Sequence, residues 1–327
     1  MRSSWDWKGL FRDLVEVRGS ELQLPQYAAV VAGVRKSIDD WVPIDRFNAY
    51  KRFAASAGLV VLVDCIFSPI TNSDSVLGIN YAPTTRARGG VFDSSVKDPH
   101  ASVHVVVSTR ADWADDTLAA AWYSVAVENR VLTKPKIDHA RLGLAFGYPE
   151  CCVRSFISHN NWGRECTLTE AARMSREIYW ETNCLPKNTP WMTIFHLPCA
   201  FDCPGTRTYS RDVIHAVSDI DPAYASHIRS FMKQIYLVIN EKLAYALVGG
   251  VMIGTNRVIF KRAVDVYANT VFREPHYDHW SRALETGNQV LVTGDSVVVS
   301  NEDAIVEVLE LRCDRGIVEI PLLLNFE

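Results

Sequence analysis

The sequence predicts an α+β protein with a helical, cysteine-bearing middle flanked by strand-containing N- and C-terminal segments. Helix boundary signals follow one another through the middle of the chain, whereas short β-branched runs lie towards both ends. Six of the eight cysteines fall between Cys151 and Cys203. We therefore predict three regions: an N-terminal α/β region at 1–135, a helical cysteine-motif region at 136–233 and a β-rich C-terminal region at 234–327.

The N-terminal region is predicted to combine helices with two strands. The first 60 residues carry apolar side chains at near-helical spacing, which predicts helices. Residues 60–67 and 101–108 are short apolar runs that predict strands. Residues 72–99 are rich in Gly, Pro, Ser, Asp and Arg, so we expect a long loop there.

The middle of the chain carries several helix boundary signals. Asp115 or Asp116 is expected to cap a first helix, and Pro149 fits the first position of a third. Pro204 and Pro222 are expected to begin two more. Together these signals predict five helices, at 116–132, 138–146, 149–158, 204–217 and 222–233.

The C-terminal region changes in character from Ile235 onwards. Its runs are rich in Val, Ile and Leu and are typical of strands. The breaks at 293–295 and 313–316 combine glycine with aspartate and predict hairpin turns.

The clustered cysteines form two compact motifs. Gly-Tyr-Pro-Glu-Cys-Cys occupies 147–152, and His-Leu-Pro-Cys-Ala-Phe-Asp-Cys-Pro occupies 196–204. Each motif places thiols at the predicted start of a helix, where the positive end of the helix dipole favours thiolate over thiol. In a reducing compartment such clusters more often build a metal or redox site than disulfides. We therefore expect one shared inorganic centre, held by Cys151, Cys152, Cys199 and Cys203.

The adjacent pair Cys151 and Cys152 bears on the choice of metal. Consecutive side chains in a helical turn point about 100° apart, whereas thiolates around one tetrahedral zinc ion lie under about 4 Å apart. A 4Fe–4S cluster binds its cysteines at different corners, so it is the predicted cofactor. Zinc is the alternative, and thiols without metal are a third interpretation. The spacing leaves open whether three or four cysteines are ligands.

The two motifs resemble those of an uncharacterised prokaryotic family, known only as a domain of unknown function. That family carries Gly-Tyr-Pro-x-Cys-Cys followed by His-x-Pro-Cys-x-x-x-Cys, which here stand at 147–152 and 196–203. The resemblance covers about residues 138–250. It implies that the four cysteines belong together, and it implies no particular reaction or substrate.

Five residues outside the thiols are candidates for catalysis or substrate binding. His196 could ligate a metal or donate a hydrogen bond, with a structural loop histidine as an equal alternative. Glu150 and Asp202 could act as acid or base, or point to solvent. Arg86 and Arg88 lie beside glycines and could bind a carboxylate or phosphate, with a solvated basic loop as the alternative.

Other reactive residues have structural explanations that the sequence favours. Cys166 and Cys184 lie between the motifs and are expected to be buried. Asp64 and Cys65 end a predicted strand and could reach a site, although a packed core thiol is favoured. The segment at 276–279 holds two histidines and resembles half a metal site.

The composition narrows the class of partner. The formal net charge of −4 and the lack of a long apolar run argue against nucleic acid and membrane as main partners. Residues 1–17 contain acidic side chains and no clean apolar stretch, so we expect no secretory signal and a cytoplasmic location.

The sequence therefore predicts a cytoplasmic, biosynthetic metalloenzyme. We expect it to act on a small anionic molecule at a cysteine-ligated iron–sulfur cluster, with an electron or sulfur donor protein as a candidate partner. A structural zinc–thiolate protein and a metal-free thiol oxidoreductase are the alternatives.

Overall fold

The computed structural model describes most of the chain. The described residues are 9–69, 81–86, 99–122, 126–127, 130–131, 136–161, 167–186, 189–240, 243–266, 277–294, 296–302, 304–310, 313–314, 317–318 and 321–326. Within them the fold is mixed α+β, as predicted, with helices and three antiparallel sheets of four, four and five strands.

Ten α-helices lie within the described residues. In chain order they are α1 Leu10–Arg18, α2 Leu24–Val31, α3 Phe47–Ser56, α4 Ala111–Ala120, α5 His139–Ala145, α6 Glu150–Asn161, α7 Thr167–Met174, α8 Pro204–Ile220, α9 Pro222–Met232 and α10 Tyr277–Thr286. A short 3-10 turn covers Trp180–Thr182.

The strands of the N-terminal part form one four-stranded sheet and two short pairs. The sheet has the order β1-β4-β2-β3, from β1 Ser37–Pro43, β2 Val60–Pro69, β3 Tyr81–Arg86 and β4 Ser102–Ser108. The short pairs join β5 Ala121–Trp122 to β8 Lys136–Ile137, and β6 Ala126–Val127 to β7 Arg130–Val131.

The strands of the C-terminal part form two larger sheets and one short pair. The strands are β9 Ile235–Asn240, β10 Leu243–Val248, β11 Val251–Ile253, β12 Arg257–Ile259, β13 Arg262–Asp265, β14 Gln289–Val292, β15 Ser296–Asn301, β16 Ala304–Glu310, β17 Cys313–Asp314, β18 Ile317–Val318 and β19 Leu322–Asn325. They pair in the orders β13-β10-β9-β19, β11-β12-β14-β15-β16 and β17-β18.

The chain divides into two compact units. The first unit comprises Met1–Arg154 with Asp212–Ala223, and the second comprises Ser155–Arg211 with Tyr224–Glu327. The divisions fall inside helices α6, α8 and α9. The three regions expected from the sequence stay a prediction.

In the first unit, helix α4 packs on the sheet. Val106 of β4 contacts Ala114 and Leu118 of this helix, and together they form a small apolar core. Helix α5 packs beside α4. Its N-cap is Asp138, whose carboxylate accepts a hydrogen bond from the backbone N–H of Arg141.

A buried polar network ties three helices to the first strand. The carboxylate of Asp40 on β1 is 2.7 Å from Arg18 of α1 and accepts a hydrogen bond from the Tyr27 hydroxyl of α2. The Tyr27 hydroxyl lies 2.6 Å from that of Tyr50 on α3. Burial and the nearby Asp40 raise the pKa of Tyr27, so its hydroxyl stays protonated.

His104 of β4 lies between two carboxylates on the other face of this sheet. Its two ring nitrogens are near Asp64 and Asp39, respectively. Burial lowers the pKa of His104, but the hydrogen bonds to Asp39 and Asp64 outweigh this effect and raise it to about 9.

The core of the second unit joins its sheets to helix α10. Trp280 and Leu284 of α10 are buried in one apolar cluster with Leu237, Tyr245 and Val299 of the strands. The helix contacts β13, β15 and β16. A helix within this β-rich region was not predicted, because the amphipathic pattern of α10 is only ten residues long.

Several element predictions are confirmed. The predicted strands at 60–67 and 101–108 correspond to β2 and β4, and α5 matches the predicted helix at 138–146. Pro204 and Pro222 are the first residues of α8 and α9, as the fixed φ of proline favours. The two predicted hairpins pair β14 with β15 and β17 with β18.

Three predictions in the N-terminal region are wrong. Residues 37–43 form β1 instead of helix, because they pair along their whole length with the buried strand β4. The expected loop at 72–99 contains β3, which pairs with β2. The helix expected at 116–132 is α4, which begins earlier and ends at Ala120. Neither Asp115 nor Asp116 caps it, because both lie inside this helix, where the Asp116 carboxylate pairs with Arg141.

Candidate metal centre

Two glycines shape the chain that leads into the first cysteine motif. Gly147 follows α5 with a φ of 74°, in the left-handed region that glycine adopts without strain. At Gly143, an added Cβ atom would lie 2.7 Å from a methyl carbon of Val153. Only glycine therefore lets α5 approach the first turn of α6 this closely.

The first turn of α6 carries the adjacent cysteines. Its first helical residue is Glu150, so Pro149 precedes the helix instead of opening it, one residue from the prediction. The carbonyl of Pro149 accepts hydrogen bonds from the N–H groups of Cys152 at 2.9 Å and Val153 at 3.0 Å. Cys151 and Cys152 thus lie at the positive end of the helix dipole, where negative charge is stabilised.

Phe201 anchors the loop of the second cysteine motif. Its side chain is fully buried and meets the ring of Phe326 edge to face, with 5.4 Å between centroids. Its N–H donates to the Ser175 hydroxyl at 2.6 Å, and its carbonyl accepts from the Thr182 hydroxyl at 2.6 Å. These contacts hold the backbone between the two cysteines of this motif.

The second motif leads directly into helix α8. Cys203 precedes Pro204, the first residue of that helix, as predicted. His196 is buried, its Nε2 atom lies 2.9 Å from the Thr206 hydroxyl, and its ring meets that of Tyr209 edge to face. His196 therefore packs against α8, whose start follows the cysteines.

The expected convergence of the two motifs is present in the structure. The sulfur atoms of Cys151, Cys152, Cys199 and Cys203 all lie within 4.8 Å of one another. Cys152 and Cys203 are buried, whereas Cys199 is half-buried and Cys151 is exposed. These four cysteines could hold a metal ion.

The adjacent pair is well placed for one tetrahedral ion. Thiolates at about 2.3 Å from a tetrahedral zinc lie roughly 3.8 Å apart, and the sulfur atoms of Cys151 and Cys152 are 3.9 Å apart. The sequence indicated an awkward fit of adjacent cysteines to a single ion, and the structure places their sulfur atoms close enough to share one. Their Cα–Cβ bonds diverge, but staggered χ1 rotamers can turn the two sulfur atoms towards each other.

A pocket of about 330 Å³ lies beside Cys199. This volume is within the usual range for a small-molecule site. Most of its lining is apolar, and the lining residues among those described are Ser155, Phe156, His159, Glu170, Ala171, Met174, Leu197, Pro198, Cys199 and Ala200.

His159 and Glu170 form the polar part of this pocket. The Nε2 atom of His159 is 2.7 Å from a carboxylate oxygen of Glu170, and its Nδ1 atom is 2.7 Å from the carbonyl oxygen of Ser155. A carbonyl can only accept, so Nδ1 carries a proton. A second proton between Nε2 and the carboxylate completes the hydrogen bond, which makes the pair an acid–base group.

Neither residue of this pair was predicted from the sequence. His159 lies four residues after Ser155, on the same face of α6, and Glu170 lies on α7. The helical spacing of Ser155 and His159 could have predicted that these two residues lie on one face. The pairing of His159 with Glu170 could not be predicted, because it depends on the tertiary contact between α6 and α7.

The predicted acidic residues have partners other than the thiols. Glu150 is exposed and pairs with Arg154 one turn later at 3.0 Å. A carboxylate oxygen of Asp202 accepts a hydrogen bond from the backbone N–H of Arg176 at 3.1 Å. The catalytic roles of Glu150, Asp202 and His196 stay predictions.

Several other candidates lie at or outside the edge of the described residues. Arg86 ends β3, where its backbone pairs with Cys65, and its side chain is not described. Arg88, Cys166 and the first histidine of the 276–279 segment lie outside the described residues. Cys184 and Cys65 are buried, as expected.

Comparisons with known protein families, with curated proteins and with solved structures find no match to this chain. The resemblance to a family of unknown function therefore rests on the two motifs alone. None of the helices among the described residues combines the length and the apolar character that crossing a membrane requires.

Proposed function

We propose that the protein is a zinc-dependent enzyme that acts on a small molecule bound beside Cys199. The four-cysteine centre would fix the wall of the pocket, and the His159–Glu170 pair would transfer a proton. One observation carries this proposal: four cysteine sulfur atoms lie within 4.8 Å of one another, and one of these cysteines lines a pocket that also holds an acid–base pair.

The spacing of the sulfur atoms favours a single ion. A distance of 3.9 Å between adjacent thiols matches a mononuclear tetrahedral site. The irons of a 4Fe–4S cluster occupy separate corners, so its thiolate ligands must spread further apart than around one ion. The iron–sulfur cluster predicted from the sequence thus requires the four sulfur atoms to lie further apart than they do here.

Four thiolates leave a zinc ion no open position, which is typical of structural zinc sites. Bound zinc would supply rigidity here, and its two positive charges would offset part of the charge of four thiolates. The starts of α6 and α8 stabilise the remaining negative charge. Cys199 and Ala200 belong both to this loop and to the pocket lining, so ordering the loop shapes the pocket.

The proton chemistry is assigned to His159 and Glu170. The proton shared by His159 Nε2 and Glu170 can pass from the carboxyl group to a bound molecule and return to it, while the Ser155 carbonyl fixes the ring through Nδ1. The apolar lining suits a substrate with an apolar body. The described lining contains no Lys or Arg, so the anionic substrate expected from Arg86 and Arg88 has no support in this pocket.

Metal analysis tests the first part of the proposal. Protein expressed and purified without oxygen should be colourless and should contain zinc, and the Cys203→Ser variant should hold one zinc ion fewer per chain. Iron with acid-labile sulfide, and a brown colour, would instead identify the iron–sulfur enzyme and its need for an electron or sulfur donor. Protein without metal, in which Cys151 or Cys152 forms disulfides with the second motif, would support the thiol oxidoreductase.

The proposed enzyme activity is tested by asking whether the protein converts any compound in a mixture of natural metabolites. A cell extract of small metabolites, incubated with the protein and followed by mass spectrometry, should show one compound consumed and one formed. The His159→Gln variant should lose this turnover at least 100-fold while keeping its zinc. Turnover that is equal in wild type and variant, or absent in both, would contradict the enzyme assignment and favour a structural zinc protein.

A further inference from the structure

A second group of metal-ligating side chains lies in the sheet of the first unit. Asp64 and Cys65 on β2 and His104 on β4 are all buried, and one donor atom from each lies within 4.8 Å of the others. The Nδ1 atom of His104 is 3.0 Å from Asp64 Oδ2, and the Cys65 sulfur is 3.3 Å from the same oxygen. Sulfur, nitrogen and oxygen donors thus converge within the protein interior.

A β-bulge brings the two neighbouring residues of β2 together. Adjacent residues in a regular strand point to opposite faces. Here Val63 pairs with Val105 and Cys65 pairs with His104, which leaves Asp64 as an extra residue on its strand. Bulges redirect side chains and are frequent beside functional sites. The bulge therefore accounts for both donors being close to one histidine.

The surroundings of His104 fit a ligand histidine. Its Nε2 atom lies 3.5 Å from a carboxylate oxygen of Asp39, so Nδ1 is the nitrogen that points towards Asp64 and Cys65. Histidines that bind a metal usually donate their other N–H to a carboxylate, which fixes the tautomer and the ring orientation. The ring is also held by Trp41, at 4.7 Å between centroids.

A small cavity adjoins the group. It has a volume of about 20 Å³ and its lining includes Asp39, Asp64 and His104. A space of this size and polarity has room for one water molecule.

We propose that Asp64, Cys65 and His104 bind a zinc-type divalent cation, with a water molecule from the adjoining cavity as the fourth ligand and Asp39 as a positioning residue. Three protein ligands and a water are the pattern of zinc sites that keep an exchangeable position. Binding would displace two protons, one from the Cys65 thiol and one from Nδ1 of His104, and both would leave to solvent. The thiolate and the Asp64 carboxylate then balance the two charges of the ion, which lowers the cost of burying it. None of these ligands belongs to the four-cysteine centre.

Zinc content per chain tests the proposal. Wild-type protein should hold two zinc ions, one for each group. The Cys65→Ser variant should lose one of them and keep the other. The double variant Cys151→Ser/Cys152→Ser should hold one zinc ion, at the second group. Adding Cys65→Ser to this double variant should remove that ion. Cys184→Ser is the matched control, because Cys184 is equally buried and belongs to neither group, and its zinc content should equal that of wild type.

Cobalt binding provides a readout that does not depend on one variant folding. Chelated wild-type protein titrated with Co²⁺ should show two binding steps, and His104→Gln should show one. Asp39→Asn should weaken the second step by about 10- to 100-fold, and Asp39→Glu should restore part of that loss.

Two results would overturn the proposal. One is a zinc content in Cys65→Ser that equals wild type. The other is a single cobalt step in folded wild-type protein that His104→Gln leaves unchanged, which would identify the group as an ion pair between protonated His104 and two carboxylates. Circular dichroism and melting curves on each variant establish that the compared proteins are folded.

Discussion

Gly143 controls how closely two helices approach beside the first cysteine motif. Its position on α5 faces Val153 of α6, one residue after Cys152. Glycine is unfavourable inside a helix by about 1 kcal/mol compared with alanine, so its presence here has a packing cause.

We expect Gly143→Ala to lower the free energy of unfolding by about 1–2 kcal/mol. The new methyl group would lie 2.7 Å from a methyl carbon of Val153, and this overlap outweighs the gain in helix propensity. Urea unfolding of the single variant measures the effect.

A double-mutant cycle with Val153→Ala separates the steric cause from others. Val153→Ala should cost less in the Gly143→Ala background than in wild type, because it removes the overlapping methyl groups. Costs that simply add would refute the steric explanation. Gly294→Ala is a suitable control, because its added Cβ atom would meet nothing within 4 Å.

At the residue scale, the sequence identified the candidate metal ligands but not the side chains that pair in the neighbouring pocket. Cys151, Cys152, Cys199 and Cys203 could be grouped because thiols at helix starts have a specific chemistry. The pairing of His159 with Glu170 depends on how two helices pack, which no local pattern shows.

Among the elements, the loop of the second cysteine motif depends on one buried ring. The Phe201 ring packs in the core of the second unit against Phe326, and its backbone donates a hydrogen bond to Ser175 and accepts one from Thr182. The position of Cys199 and Cys203 therefore depends on packing at a residue that binds no metal.

We expect Phe201→Leu to lower both stability and metal affinity. The lost ring contacts should cost about 1–2 kcal/mol of unfolding free energy, and the looser loop should raise the zinc dissociation constant. Phe260→Leu is the control, because Phe260 is similarly buried in the core of the second unit. Equal zinc affinities in the two variants, at similar loss of stability, would show that Phe201 does not position the ligands.

At the element scale, prolines correctly predicted where helices begin, and apolar runs correctly predicted where strands lie. Helices α8 and α9 begin at the predicted prolines, and β2 and β4 lie at the predicted apolar runs. Strand β1 was missed because its pairing with β4 is a long-range contact. The aromatic and β-branched residues after Ala120 were assigned to a helix, although such residues also favour strands.

For the whole molecule, bound metal should contribute to stability by mass action. A ligand that binds only the folded chain stabilises it by about 2.7 kcal/mol at a free concentration 100 times its dissociation constant. We therefore expect a zinc chelator to lower the melting temperature, and added zinc to restore it. Calorimetry at fixed protein concentration measures both changes. A melting temperature unaffected by chelation, with zinc removal verified by elemental analysis, would contradict a structural role.

The mixed α+β class of the whole molecule was predictable from alternating helical and β-rich segments. The grouping of segments into compact units was not, because each unit contains pieces that are distant in sequence. Such grouping depends on contacts between segments that are far apart in the sequence, and local composition does not indicate which segments make contact.

The separation of the two cysteine motifs along the chain has a consequence for biogenesis. The ribosome produces Cys151 and Cys152 well before Cys199 and Cys203. Cys151 and Cys152 therefore remain without their completing ligands until the second motif has been made. Capture of a metal by all four cysteines can follow only after Cys203 is in the chain, so it would belong to a late stage of maturation.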